Sequence, residues 1–368
     1  MDVKALRRDL EAAGVFEKQE GRSWRKLTLL LVIMAGLLWV HMQLPIWGMA
    51  LLMPLTSVIA VTIAMMGHEG GHRALSNNQF RNELMIHFAF TALSGLGTLY
   101  WRHKHNVKHH SHTNIDGEDP DLNLWPMASS AAQHRDSVPA RRWFQRNLQG
   151  FMFWPLTLFL SWSMRASGIE YLVKYARERG VDRSWAVDVG CLVFHFTCFA
   201  ILPMIFISPL AIFFYLAMWT LAGPMLAAVF APAHMSMPVL TGHHDKWRLQ
   251  FETTRNLAMP DWMSWFFIGL DYQLEHHLFP RIPHQNMKKA SAVTRAWAAR
   301  EGVPYYEVNY FTGLRDVTRY MAVAWRLDPT DPDQQAQWNA HRSEHNLAAP
   351  DAPPSKHTPV LLGEPATA

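Results

Sequence analysis

The chain holds 40 consecutive residues, Leu27 to Met66, without a single Asp, Glu, Lys or Arg. In a bilayer each backbone N–H and C=O must be satisfied inside the spanning segment, so a stretch of this kind folds as helix. A spanning helix takes about 20 residues, and Leu27–Met66 therefore reads as two spans that reverse near Gln43–Pro45. It is too long, and starts too far from the N-terminus, to be a signal peptide. A second pair runs from about Ala186 to Ile207 and from about Leu210 to Val229, turning at Ser208–Pro209.

The predicted fold is an all-α integral membrane protein: four transmembrane helices in two hairpins, at about 27–44, 46–66, 186–207 and 210–229, beneath a helical cap. Two shorter apolar segments, Ile86–Tyr100 and Phe151–Met164, read as interfacial or re-entrant pieces. Residues 1–26 form a polar, basic N-terminal segment and 27–325 the membrane domain. The remainder, 326–368, is a C-terminal extension whose Pro/Ala-rich part from about Ala348 is expected to be disordered.

Composition agrees once its distribution is considered. Mean hydropathy is only −0.06, because long polar stretches separate the apolar runs. Charged residues make up 17%, below the usual quarter of a soluble domain. The turns near 43–45 and 208–209 carry no Lys or Arg, so the positive-inside rule places both termini and the long middle segment in the cytoplasm. Cys191 and Cys198 lie two helical turns apart in one apolar run, which argues against a disulfide between them. A net charge of +4 suits anionic lipid headgroups or an acidic redox partner, and nothing resembles a nucleic-acid surface.

Histidines carry the chemistry. "HEGGH" (His68, His72) follows the second span, "HNVKHH" (His105, His109, His110) comes next, His234 ends the fourth span, and "QLEHH" (His276, His277) lies beyond it. The topology brings all of them to one membrane face. Imidazole is the commonest protein ligand for iron and zinc, and eight exceed the needs of one ion. His68 and His72 are four apart and share a helical face. Their string also matches the H-E-x-x-H zinc protease motif, in which the Glu is the general base. His109 and His110 cannot share an α-helical face, so they serve different metals, or one metal and its surroundings. His103 and His112 read as solvated imidazoles, His195 as a satisfied buried polar residue, and His243, His244 and Asp245 as surface. A lone histidine at a helix end, such as His234, is more often interfacial. Glu69, Asp119, Asp121 and Glu275 are candidate acceptors for imidazole ring N–H groups, and Gln273 a weak ligand or an orienting group.

The three boxes in order, with the words "HNVKHHSHTNIDGEDPDL" and "GLDYQLEHHLFPRIP", resemble the membrane fatty acid desaturase family over roughly residues 27–325. Gln273 at the head of the third box resembles the front-end or acyl-lipid branch with its Q-x-x-H-H. The resemblance implies two iron ions held by His68, His72, His105, His109, His110, His276 and His277, and it adds His234 to that set. It also draws attention to Asn256. The implied reaction is O2-dependent removal of two hydrogens from adjacent acyl carbons, leaving a cis double bond, with acyl lipid or acyl-CoA as substrate. Two features depart from that branch. The second box is HxxxHH rather than HxxHH, and no heme-binding H-P-G-G word of a fused cytochrome b5 domain precedes the first span. The implied electron donor is therefore external, a ferredoxin or a cytochrome b5-type protein with its reductase. Alternatives on the same residues are a diiron hydroxylase of alkanes, sterols or carotenoids, an intramembrane zinc protease, and a metal-transport protein.

Overall fold

The computed structural model describes residues 1–342 and 344–348. The expected disordered tail, apart from Ala348 itself, falls outside them. Among the described residues four helices are long and apolar enough to cross a membrane: Glu20–His41, Ile46–Gly71, Arg183–Phe206 and Ala211–His234. They form the two expected hairpins. Three of them outrun their apolar sequence at the same end of the bundle. The first starts at Glu20, because Ser23 is buried there and Lys26 folds its ammonium onto Trp265, donating to the carbonyl at 2.6 Å. The second runs on to Gly71 and the fourth to His234, so both deliver histidines in their last turns.

The second span is the centre of the bundle, with 61% of its apolar window buried against 11% for the third, which presents its surface to lipid. Ile86–Tyr100 folds back on itself. The helix Gln79–Met85 passes into a π-helical turn, Ile86–Ala92, and the chain restarts as Thr98–Trp101. Asp188 of the third span caps this restart, accepting from Thr98 N at 2.9 Å and Leu99 N at 3.0 Å. His195 is satisfied as expected, with Nε2 2.9 Å from the Tyr215 hydroxyl and Nδ1 3.2 Å from the Ala92 carbonyl. The Phe151–Met164 segment opens a longer element than its apolar part foretells, since the helix Leu160–Arg179 extends well past Met164.

The cap is not wholly helical. A three-stranded sheet of β1 (Asn256–Ala258), β2 (Tyr306–Asn309) and β3 (His345–Asn346) pairs β1 with β2 in parallel and β2 with β3 antiparallel. Strands this short give no alternation to read in sequence. Beside the sheet, Leu6 and Leu10 of the N-terminal helix Val3–Ala12 bury against Trp297 and Ala298 of the helix Met287–Glu301, giving the cap its own core.

Close approach of the second span to its neighbours depends on absent side chains. A Cβ at Gly67 would stand 2.6 Å from the backbone nitrogen of Phe90. Gly67→Ala should therefore lower the melting temperature in detergent, as expected for an overpacking cost of about 1–3 kcal/mol. Gly36→Ala, with nothing within 4 Å of the added atom, should show no loss.

Candidate metal centre

His68 and His72 stand one turn apart at the end of the second span, their ring centroids 4.6 Å apart. The glycines between them keep this helix end slim. A Cβ at Gly71 would strike the Trp101 indole, whose ring packs 5.2 Å from both His68 and His72 and stacks on His105 at 5.0 Å.

The second box resolves the problem of adjacent histidines through its backbone. Arg102–His109 is π-helical, and the His110 N–H bonds to the His105 carbonyl five residues back. An α-helix would turn His105 and His110 away from each other. The wider π turn superposes them, with Nε2 atoms 3.1 Å apart. Such π turns recur at functional sites. The third box sits on a six-residue helix, Gln273–Leu278. Asn256 of β1 holds that helix by accepting from Leu274 N at 2.9 Å and donating to Glu275 at 2.8 Å, while the Tyr305 hydroxyl donates to Glu275 at 2.9 Å. Burial pushes the Glu275 carboxyl up to about 7.

Seven of the eight histidines meet in two nests. His68, His72, His105 and His276 bring ligand-capable atoms within 4.8 Å of one another, and so, separately, do His109, His234 and His277. His110 stands between the nests, stacked on His277 at 4.2 Å and 4.8 Å from the His72 ring.

The nitrogens fit metal ions. His72 Nε2, His276 Nε2, His277 Nε2 and His234 Nδ1 are buried without a hydrogen-bond partner, a costly condition for polar atoms unless something else satisfies them. His68 Nε2 lies 3.0 Å from His105 Nε2. Burial holds the rings of His72, His105, His110, His276 and His277 well below the ordinary imidazole range, and neighbouring rings push the same way. They are therefore neutral, the form that ligates. Burial would also depress His109, but the Asp119 and Asp121 carboxylates outweigh it and raise the ring to about 8.

The surrounding polar residues divide sharply. Asp119 faces His109, its oxygens 3.0 and 3.1 Å from Nδ1, and backbone N–H groups of Asn114 and Asp121 fix it there at 2.8 and 2.9 Å. Asp121 stands 3.4 Å from the same nitrogen and pairs with Lys104 at 2.6 Å. Gln273 sets its amide nitrogen 3.1 Å from His234 Nε2. The other two acidic candidates turn elsewhere. Glu69 accepts from Ser23 at 2.9 Å and from His284 Nδ1 at 2.8 Å, tying the first span, the first box and the loop after the third box together. Glu275 is engaged by Asn256 and Tyr305. Both residues thus hold elements rather than imidazoles of the nests.

His284 escaped the sequence reading because it lies outside every box. So did Thr113, whose hydroxyl is 3.3 Å from His277 Nδ1, and Trp101. His103 stacks on Tyr171 and His112 bonds the Lys108 carbonyl, both clear of the nests.

The fatty acid desaturase family model matches residues 43–309. The Delta(5) fatty acid desaturase fat-4 of Caenorhabditis elegans is 30% identical over 266 residues, covering 67% of this chain and 57% of the nematode protein. A Delta(8)-fatty-acid desaturase of Helianthus annuus is 27% identical over 370 residues, 92% of this chain and 77% of its own. An acyl-lipid (9-3)-desaturase of Borago officinalis is 27% identical over 263 residues, 66% and 56%. The chain thus spans little more than half the length of the nematode and borage proteins. Since the matched stretch encloses every histidine of both nests, this chain belongs to the fatty acid desaturase family.

Proposed function

We propose that this chain is an O2-dependent fatty acid desaturase, placing a cis double bond in the acyl chain of a lipid or acyl-CoA at two irons held by its histidines. The observation that carries the reading is the pair of buried nests with unpartnered imidazole nitrogens. His68, His72, His105 and His276 would hold one iron, and His109, His234 and His277 the other, with His110 between them. Nitrogen ligands suit iron among the borderline metals. Two irons supplied with electrons and O2 provide the oxidising power to break an unactivated C–H bond, which no side chain possesses.

The chain's own residues prepare the site. Asp119 holds the Nδ1 proton of His109, so that the proton a metal displaces is the one on Nε2. Thr113 orients His277 in the same way, and Gln273 steers His234. Trp101 and Phe230, packed against His68 and His105, wall the first nest with apolar surface and exclude water. No residue is required as a nucleophile; the protein's work is positioning.

The nests lie at the end of the bundle where basic residues gather, which supports a cytoplasmic active site and cytoplasmic termini. The electron donor is a ferredoxin or a cytochrome b5-type protein. Two relatives bear Delta(5) and Delta(8) in their names, counts made from the carboxyl end. We extend this to the present chain, with the reacting carbons close to the head group. A zinc protease would need Glu69 poised over metal as a base, and its carboxylate is instead committed to Ser23 and His284.

Metal analysis of the purified protein should find about two irons per chain; a single zinc would sink the reading. Expression in a host of known lipid profile should yield a new unsaturated fatty acid that disappears with His109→Ala, whereas a hydroxylated product would reassign the reaction. Asp119→Asn keeps the shape of the acceptor but removes its charge. It should weaken iron binding by about 10–100-fold, measured by competition with a chelator.

A further inference from the structure

The helix that delivers His234 ends, as helices do, in carbonyls without an intrahelical partner. Arg255 caps that end. Its backbone N–H donates to the Ala233 carbonyl at 3.1 Å, and its Nε donates to the Pro232 carbonyl at 2.8 Å. These two residues immediately precede His234. A cation is favoured at a helix C-terminus, but Arg255 is fully buried, and a buried charge is costly unless it is paired. Two carboxylates supply the pairing, Asp316 at 3.3 Å and Glu344 at 3.0 Å from the same Nη1. Both carboxylates are buried with it.

Glu344 lies beyond the stretch 43–309 that matches the family model. Arg342 balances its charge, with Nε 2.6 Å from the other Glu344 oxygen and the guanidinium 5.5 Å over the Tyr306 ring. The residues after Glu344 are strapped to the cap. His345 and Asn346 form β3 against β2, and Leu347 is buried in the cap core. The Asn346 side chain accepts from Tyr305 N at 2.9 Å, and Leu347 N donates to the Tyr305 carbonyl at 2.8 Å. This strand fixes the backbone on which Glu344 stands, so its carboxylate meets Arg255 with little conformational freedom left to lose.

We infer that Glu344 is a positioning residue for the second nest. Through Arg255 it fixes the last turn of the fourth span and hence His234, which belongs to that nest alone. It thereby sets how tightly the second nest holds its metal ion and leaves the first nest nearly unchanged. The inference rests on the reading of both nests as metal sites. Asn346 gives a contrast from the same strand. It acts through Tyr305 on Glu275 and on the helix that carries His276 and His277, one histidine of each nest. Loss of Glu344 should therefore separate the two metals, whereas loss of Asn346 should weaken both.

The test is Fe2+ binding to the full-length protein in detergent under nitrogen, by competition with a chelator, so that no turnover enters the measurement. Glu344→Ala should weaken one of two bound ions by about 10-fold, the scale for residues that support metal ligands, and leave the other unchanged. The weakened ion should be the one that His234→Ala loses, so combining the two substitutions should cost no more than His234→Ala alone. Glu344→Gln keeps an acceptor for Arg255 without the charge; it should lie between, and it decides the matter if Glu344→Ala does not fold. Asn346→Ala should weaken both ions alike. A merely structural role predicts a lower melting temperature with both ions lost in parallel from the Glu344 variants, and that result overturns the proposal. Unchanged affinity at both nests, or additive losses in the double variant, overturns it as well. Two ions bound with the expected pattern but no double bond formed would count against the desaturase reading alone.

Discussion

Seven buried imidazoles and the half-buried His110 gathered with them, several with nitrogens that lack a hydrogen-bond partner, form the constraint on which the rest of this molecule depends. Unpartnered buried nitrogens cost free energy, so the fold must hold them in place while a cation is absent and keep them neutral so that one can bind. Burial achieves the neutrality of His72, His105, His110, His276 and His277, whereas Asp119 and Asp121 hold on His109 a proton that an incoming cation displaces. Rigidity comes from the ends of the second and fourth spans, where a helix already fixed in the bundle delivers His68, His72 and His234. The π turn at Arg102–His109 then superposes His105 and His110 at no cost in loop length.

Outside the nests the polar residues form two classes that sequence proximity conceals. Asp119, Thr113 and Gln273 touch imidazoles and set which nitrogen faces inward. Glu69, His284, Asn256, Glu275 and Tyr305 join elements to one another. Glu69 is the clearest case. Placed next to a box histidine, it projects about 100° around the helix from it and fastens the first span to the cap. The two classes are coupled, because a shift in the Asn256–Glu275 bond would move the helix that carries His276 and His277.

The N-terminal segment belongs to the same construction. Leu6 and Leu10 dock in the cap core, and Lys18 clamps the backbone of two arginines that border a cavity of about 560 Å³ reaching His72, His110 and His277. Basic residues of the helix Met287–Glu301 are partly spent internally, since Lys288 pairs with Asp261 and Arg295 bonds the Leu347 carbonyl.

The sequence by itself determined the four spans, their pairing and the common end to which the histidines come. Length and hydropathy decide those matters, because lipid permits few alternatives. It also marked Asp119 through its place beside the second box. Only the tertiary structure decided which histidines share a nest, because that depends on a π turn invisible to 3.6-residue periodicity and on contacts such as that of His68 with His276, 208 positions apart. It likewise decided that Glu69 and Glu275 face away from the two nests, that a small sheet supports the third box, and that Arg73, Lys246 and Arg281 border one cavity. Side-chain direction and long-range proximity are properties of packing, and no local pattern in the chain encodes them.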